Sequence, residues 1–176
     1  MKRKLVLIVL ILCLVGASAF AGKENAASLN PIGIVVNTYM GSYERVIFDY
    51  LSANVTFAYS PNIAWSSDIS LLAVYPGARY YMGPLLRDLL GDSLEGLEDL
   101  LLPPAPLGPY VGVYLGMSSV FGETFDVGGG AELGFKILLT EDVVSIFAEP
   151  YIGVEFLTND SETNGFKYGV NFGLVF

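Results

Sequence analysis

Apolar and polar side chains alternate with period two in several short stretches of the chain, most cleanly at its end. There Phe166, Tyr168, Val170, Phe172, Leu174 and Phe176 share one parity, and Lys167, Gly169, Asn171 and Gly173 share the other. Successive side chains of an extended strand point to opposite faces, so this spacing predicts a strand with one greasy face and one small, polar face. From 51 to 60, Leu51, Ala53, Val55, Phe57 and Tyr59 alternate in the same way with Ser52, Asn54, Thr56, Ala58 and Ser60. Between 125 and 137 the apolar set includes Phe125, Val127, Leu133 and Ile137, against Asp126, Gly128, Gly130, Glu132, Gly134 and Lys136. Between 146 and 156 it includes Ile146, Ile152, Val154 and Phe156, against Phe147, Glu149, Tyr151, Gly153 and Glu155. The stretches 70–82 and 109–119 place Tyr75, Gly77, Arg79 and Tyr81, then Tyr110, Gly112, Tyr114 and Gly116, on the less lipophilic face.

The segment "PIGIVVNTYMGSYERVIFDY" reads either as two strands around Met40-Gly41 or as one long strand. Taken as two, it completes eight predicted strands: 31–39, 42–49, 51–60, 69–82, 109–120, 124–138, 143–157 and 164–176. An even count puts both chain ends on one side of a closed sheet. Pro76 and Pro150 fall inside these strands, where a missing donor predicts bulges or shifted boundaries. Residues 83–108 break the alternation. Leu86, Leu90, Leu94, Leu97 and Leu101 recur at spacings of three and four among acidic residues, which predicts an amphipathic helix or helix pair between strands 4 and 5, ended by Pro103, Pro104 and Pro106. By strand parity this insert lies on the side of both termini.

Composition sharpens which face meets what. The 176 residues are 53% hydrophobic and only 15% charged, lean for a surface wetted by water alone. The polar parity is rich in glycine (Gly128, Gly130, Gly134, Gly153, Gly169 and Gly173), which suits a narrow interior better than a solvated exterior. The expected architecture is therefore all-β, an eight-stranded antiparallel transmembrane barrel with apolar residues outside and polar residues within.

The start, "MKRKLVLIVLILCLVGASAFAG", has three cations, an apolar run and two A-x-A sites, and predicts a signal peptide over 1–21 followed by one barrel domain over 22–176. Removing Lys2, Arg3 and Lys4 leaves six cations against eighteen acids, a balance that excludes a nucleic-acid partner. Cys13, the only cysteine, lies in that first run, so no disulfide or thiolate metal site is expected beyond it.

The final run "YGVNFGLVF" resembles the C-terminal insertion signal of bacterial outer-membrane barrels, an alternating last strand closed by a terminal aromatic. "GSYERV", "PGARYY", "GPYVGVYLG" and "AEPYIGVEF" are similar to stretches of small eight-stranded outer-membrane proteins of the OmpA/OmpX/OmpW-like kind. The resemblance implies an outer-membrane location, with outer-membrane lipid and the barrel assembly machinery as partners. It also implies that Tyr168, Val170, Phe172, Leu174 and Phe176 form the insertion signal.

Candidate chemistry is sparse. The chain has no histidine, and a serine with a carboxylate alone lacks a base titrating near neutral pH, so a non-enzymatic protein without cofactor or metal is expected. "GGGAELG" at 128–134 lacks the lysine and helix of a phosphate loop, and the acidic run 88–99 lacks calcium-loop spacing. The charges on the polar parity, Glu44, Arg79, Asp126, Glu132, Lys136, Glu149 and Glu155, are expected to form an ion-pair network filling the lumen. The competing expectation is a soluble periplasmic lipocalin-like barrel that binds an apolar ligand inside.

Overall fold

The computed structural model describes residues 24–35, 37–61, 71–90, 103–120, 124–140, 144–158 and 165–176, without the side chains of Val120, Thr124 and Leu157. The expected signal peptide with Cys13, the loop containing Trp65, and residues 91–102 of the insert lie outside these. In chain order the elements are β1 (Asn25–Leu29), α1 (Pro31–Val35), β2 (Tyr39–Phe48), β3 (Leu51–Ser60), β4 (Leu71–Tyr81), α2 (Gly83–Leu90), β5 (Gly108–Val120), β6 (Thr124–Leu138), β7 (Ser145–Leu157) and β8 (Gly165–Val175). Each strand pairs antiparallel with the next, and β1 pairs with β8, so the sheet closes into an eight-stranded barrel.

The first strand is not where the alternation predicts it. Residues 31–35 form a helical turn, and "NAASL" at 25–29, which carries no strong apolar alternation, supplies β1 instead. Physical cause lies in "NP" at 30–31. The closing seam is anchored by Asn25 and Phe176, which exchange both backbone hydrogen bonds at 3.1 and 3.0 Å. Counting up the ladder, the position opposite Val170 falls to Pro31, which has no N–H to donate. Proline at a first helical position is tolerated, and Asn30 caps the turn by accepting from the Gly33 N–H at 2.9 Å. β1 therefore stops at Leu29, opposite Phe172, and α1 packs against β2 and β8 beyond that point. The segment 39–48 is one strand. The count of eight survives because β1 replaces the lost strand, and with it the parity argument.

The start of β1, the end of β8, the β2–β3 turn, α2 and the end of β6 accordingly share one end of the barrel. Tyr81 N–H donates to Tyr50 at 2.8 Å, and Met82 N–H to Pro109 at 2.8 Å, which ties the insert to that rim. Within the insert, α2 is the described helix, and Leu85 and Leu89 are exposed. The returning arm folds inward. Pro106 is fully buried, and Leu107 packs on a cluster of Ala26, Phe147 and Val175 that closes this end of the lumen.

The two strand prolines do not produce the expected bulges. Pro76 stays in register with Val55 and Pro150 with Val170, and the opposite ladders resume at Gly77↔Tyr114 and Ile137↔Ala148 in unchanged register. Each proline thus costs its strand pairing on one side only. The one irregularity in the β2–β3 ladder comes between Val46 and Phe48.

The outer wall of the barrel is largely apolar and its interior carries buried charges. Phe57, Val113, Leu115, Phe125, Leu133, Ile152, Phe156 and Phe166 point outward, all more than half exposed, whereas Glu44, Ser52, Arg79, Lys136 and Glu149 are buried within. The inward glycines have a specific reason. Gly134 lies directly across from Tyr110, and a Cβ there would sit 2.3 Å from the Tyr110 ring. Gly130 and Tyr114, Gly169 and Tyr151, and Gly173 and Phe147 repeat this cross-strand pairing, so each glycine makes room for an aromatic ring folded over it.

Candidate functional site

Strand alternation aims Glu44 from β2, Arg79 from β4, Glu132 and Lys136 from β6, and Glu149 from β7 at the same level of the lumen. The bonded pair Lys136 and Glu44 is 92 residues apart in the chain, so only the tertiary fold brings such partners together. Arg79 is the hub. Its Nε and Nη2 both donate to Glu132 Oε1 at 2.8 Å, while Nη1 reaches Glu44 Oε2 at 2.7 Å and Glu149 Oε1 at 3.0 Å. Its guanidinium carbon lies 4.5 Å from the centre of the Tyr110 ring.

Glu44 is satisfied on both oxygens. Ser52 donates to Oε1 at 2.5 Å and Tyr81 to the same atom at 2.6 Å, while Oε2 takes Arg79 and Lys136. The Lys136 ammonium also donates to the Tyr81 hydroxyl at 3.0 Å and lies 5.1 Å from the Phe147 ring centre. Tyr110 donates to Glu149 Oε1 at 2.5 Å. Two cations thus face three carboxylates, with tyrosine and serine donors supplying the remaining hydrogen bonds. This completeness is what burial demands, because an unpaired ion in so dry a site costs several kcal/mol.

A second tier lies further from the termini. Lys167 from β8 pairs with Glu155 at 3.4 Å and lies 4.6 and 4.5 Å from the ring centres of Tyr75 and Tyr114, which meet edge to face. Glu155 therefore belongs to this separate cluster rather than to the Arg79 hub. Asp126 joins neither: it points inward from β6 but lies six residues, about 20 Å of strand, from Glu132, and no ion pair involves it among the described residues. Sequence reasoning expected tyrosines such as Tyr81 and Tyr110 in the lumen beside the charges, and left out Lys167 and Ser52 as network members. Their parity marks them as inward, but which carboxylate each meets depends on register.

Between the tiers is a small polar chamber lined by Ser42, Asn54, Thr56, Tyr151, Lys167 and Asn171, among others, with about 30 Å³ of free space. Asn54 Oδ1 and Glu155 Oε1 are buried without a partner among the described residues. That volume holds about two waters, far below the roughly 300 Å³ of a small-molecule pocket. Among the described residues no group of three or more His, Cys, Asp or Glu side chains is arranged to hold a metal ion. Ser52 Oγ does meet a carboxylate, but Glu44 is already held by Arg79 and Lys136, and Ser52 is 1% exposed, so no substrate reaches it.

The five residues Tyr168, Val170, Phe172, Leu174 and Phe176 divide in their surroundings. Tyr168 and Phe172 are exposed on the outer wall, at 82% and 46%, whereas Phe176 is only 3% exposed. The terminal ring is thus buried at the closing seam rather than displayed outward as the alternation predicts. Comparison with protein-family models, with curated proteins and with solved structures gave no match.

Proposed function

We propose that this chain is a non-enzymatic barrel of the bacterial outer membrane, with a structural or surface-interaction role and a lumen closed by its own charges. One observation carries the reading: the wall is apolar outside and ionic inside. Fully burying a large apolar side chain is worth about 1.5–3 kcal/mol, so eight that stay more than half exposed forgo on the order of 6–12 kcal/mol in water. Whole domains are stable by only about 5–15 kcal/mol. Hydrocarbon around the wall removes that cost, and every strand pairs with two neighbours, as a membrane-spanning sheet requires, with the seam left unpaired only where β8 runs past β1 at residues 165–171.

The strands of β5, β6 and β7, at 13 to 15 residues, exceed the roughly 9–11 that cross a bilayer at about 45°. The lipocalin-like alternative requires an apolar interior, and the interior here holds Arg79, Lys136 and three buried or nearly buried glutamates. The test is heat-modifiable gel mobility with membrane fractionation. A detergent-extracted barrel that migrates faster unboiled than boiled, and that sediments with the outer membrane, is the expected result. Recovery in the aqueous periplasmic fraction refutes the proposal.

A further inference from the structure

The outer wall is not uniformly greasy, because the register sorts its side chains by size. Along the hydrogen-bonding direction Leu51, Tyr80, Val111, Leu133 and Ile152 are consecutive cross-strand neighbours from β3 to β7. The adjacent outward row runs from Ala53 on β3 through Ala78, Val113, Ala131 and Val154 to Phe166 on β8. Ala78 beside Tyr80 and Ala131 beside Leu133 leave space on the wall, and residues of these two rows line a groove of about 600 Å³.

Its dimensions follow from sheet geometry. Five strand spacings of about 4.8 Å make it about 24 Å long, and two residues of strand rise make it about 7 Å wide. With strands tilted by about 45°, it climbs about 17 Å along the barrel axis. It begins at Leu51, just after the turn on the side of both termini, and its lining is almost wholly aliphatic and aromatic.

We propose that this groove holds one acyl chain of a membrane lipid from the leaflet on the side of the chain termini. The proposal rests on the membrane reading above and adds a specific lipid site to it. Three properties select this occupant. The climb matches the roughly 15 Å depth of one leaflet's hydrocarbon. The width is too small for a partner helix of about 10 Å diameter. The lining is apolar apart from Glu132, whose carboxylate is held by Arg79, so it offers little to the backbone groups that an added strand would have to pair in hydrocarbon. Since lipid tails are as apolar as leucine, what distinguishes the site from the rest of the wall is packing against a shaped surface.

The experiment is native mass spectrometry of the detergent-solubilised barrel titrated with 1-palmitoyl-2-oleoyl-phosphatidylethanolamine, comparing the unaltered chain with Ala131→Phe and Ala78→Leu, which fill the trough. Val127→Phe, an outward position on β6 four residues before Ala131 and outside the groove lining, is the control. A parallel measurement places tryptophan at Leu115 in a Trp65→Phe background and quenches it with bromine-labelled lipid in vesicles. The expected result is a first lipid retained by the unaltered chain and by Val127→Phe, and held roughly tenfold more weakly, the equivalent of about 1.4 kcal/mol, by either groove-filling variant. If Leu115→Trp is quenched but retention is equal in all four proteins, or absent in the unaltered one, the groove proposal is overturned and the membrane reading stands. If Leu115→Trp is not quenched, both fall. Two filling variants are used so that a folding failure of one leaves the comparison intact.

Discussion

Replacing Arg79 by alanine removes the one side chain that touches all three deep carboxylates. Glu44 keeps Lys136, Ser52 and Tyr81, and Glu149 keeps Tyr110, but Glu132 loses both of its arginine contacts. Breaking a buried ion pair by removing one partner costs about 3–5 kcal/mol, because the orphaned charge stays in a medium that cannot solvate it. Lys136→Ala leaves Glu44 with three donors, so its expected cost is smaller, about 1–3 kcal/mol. With a urea slope of about 1–3 kcal/mol per molar, Arg79→Ala is expected to lower the unfolding midpoint by roughly 2 M, about twice the effect of Lys136→Ala. The assay is urea unfolding of the reconstituted barrel, followed by circular dichroism and by the fraction running as the fast band on unboiled gels. A further variant tests the cause: Arg79→Ala combined with Glu132→Gln and Glu149→Gln removes the orphaned charges and should recover part of the loss. Equal midpoints for Arg79→Ala and the unaltered protein, or a triple variant weaker than Arg79→Ala alone, would refute the reasoning.

Other predictions follow from the same geometry. Gly134→Val places side-chain atoms where the Tyr110 ring lies and should abolish the folded fast band, whereas Gly165→Ala, with nothing within 4 Å, should leave it intact. Val113→Arg, on the outer wall, should destabilise the reconstituted barrel by about 2–4 kcal/mol in bilayers; an unchanged midpoint in vesicles would count against lipid on that face. Asn30→Ala removes the acceptor for the Gly33 N–H and should cost about 1 kcal/mol, read as faster amide exchange confined to residues 33–38. Deleting Phe176 removes both backbone bonds that start the seam, and should reduce the assembled barrel in the outer membrane while leaving export intact; normal assembled levels would contradict it.

Period-two alternation was enough to orient nearly every strand residue, because successive Cβ atoms point to opposite faces whatever the strand pairs with. Hence the inward placement of Glu44, Arg79, Glu132, Lys136, Glu149 and Glu155, and the outward placement of Phe57, Leu115 and Phe172, are legible in the chain alone. The Gly-rich parity also marks the interior. It could not say that each glycine answers one particular ring, such as Gly134 beneath Tyr110, since that depends on which strands lie opposite.

What only the tertiary structure decided is register and closure. β1 carries too little alternation to announce itself and becomes a strand by filling the place between β2 and β8. Pro31 ends it for want of a donor, although the pattern at 31–39 resembles a strand. The division of the charges into an Arg79 hub and a Lys167 cluster, with Asp126 in neither, likewise follows from heights set by the pairing of eight strands. Phe176 is the plainest case. Alternation assigns it to the outer face, but strand pairing ends there, and the last ring turns into the seam where Asn25 holds its backbone. Local sequence dictates the direction of a side chain from its own strand; its neighbours and its depth come from segments as distant in the chain as Asn25 and Phe176, which meet only when the sheet closes.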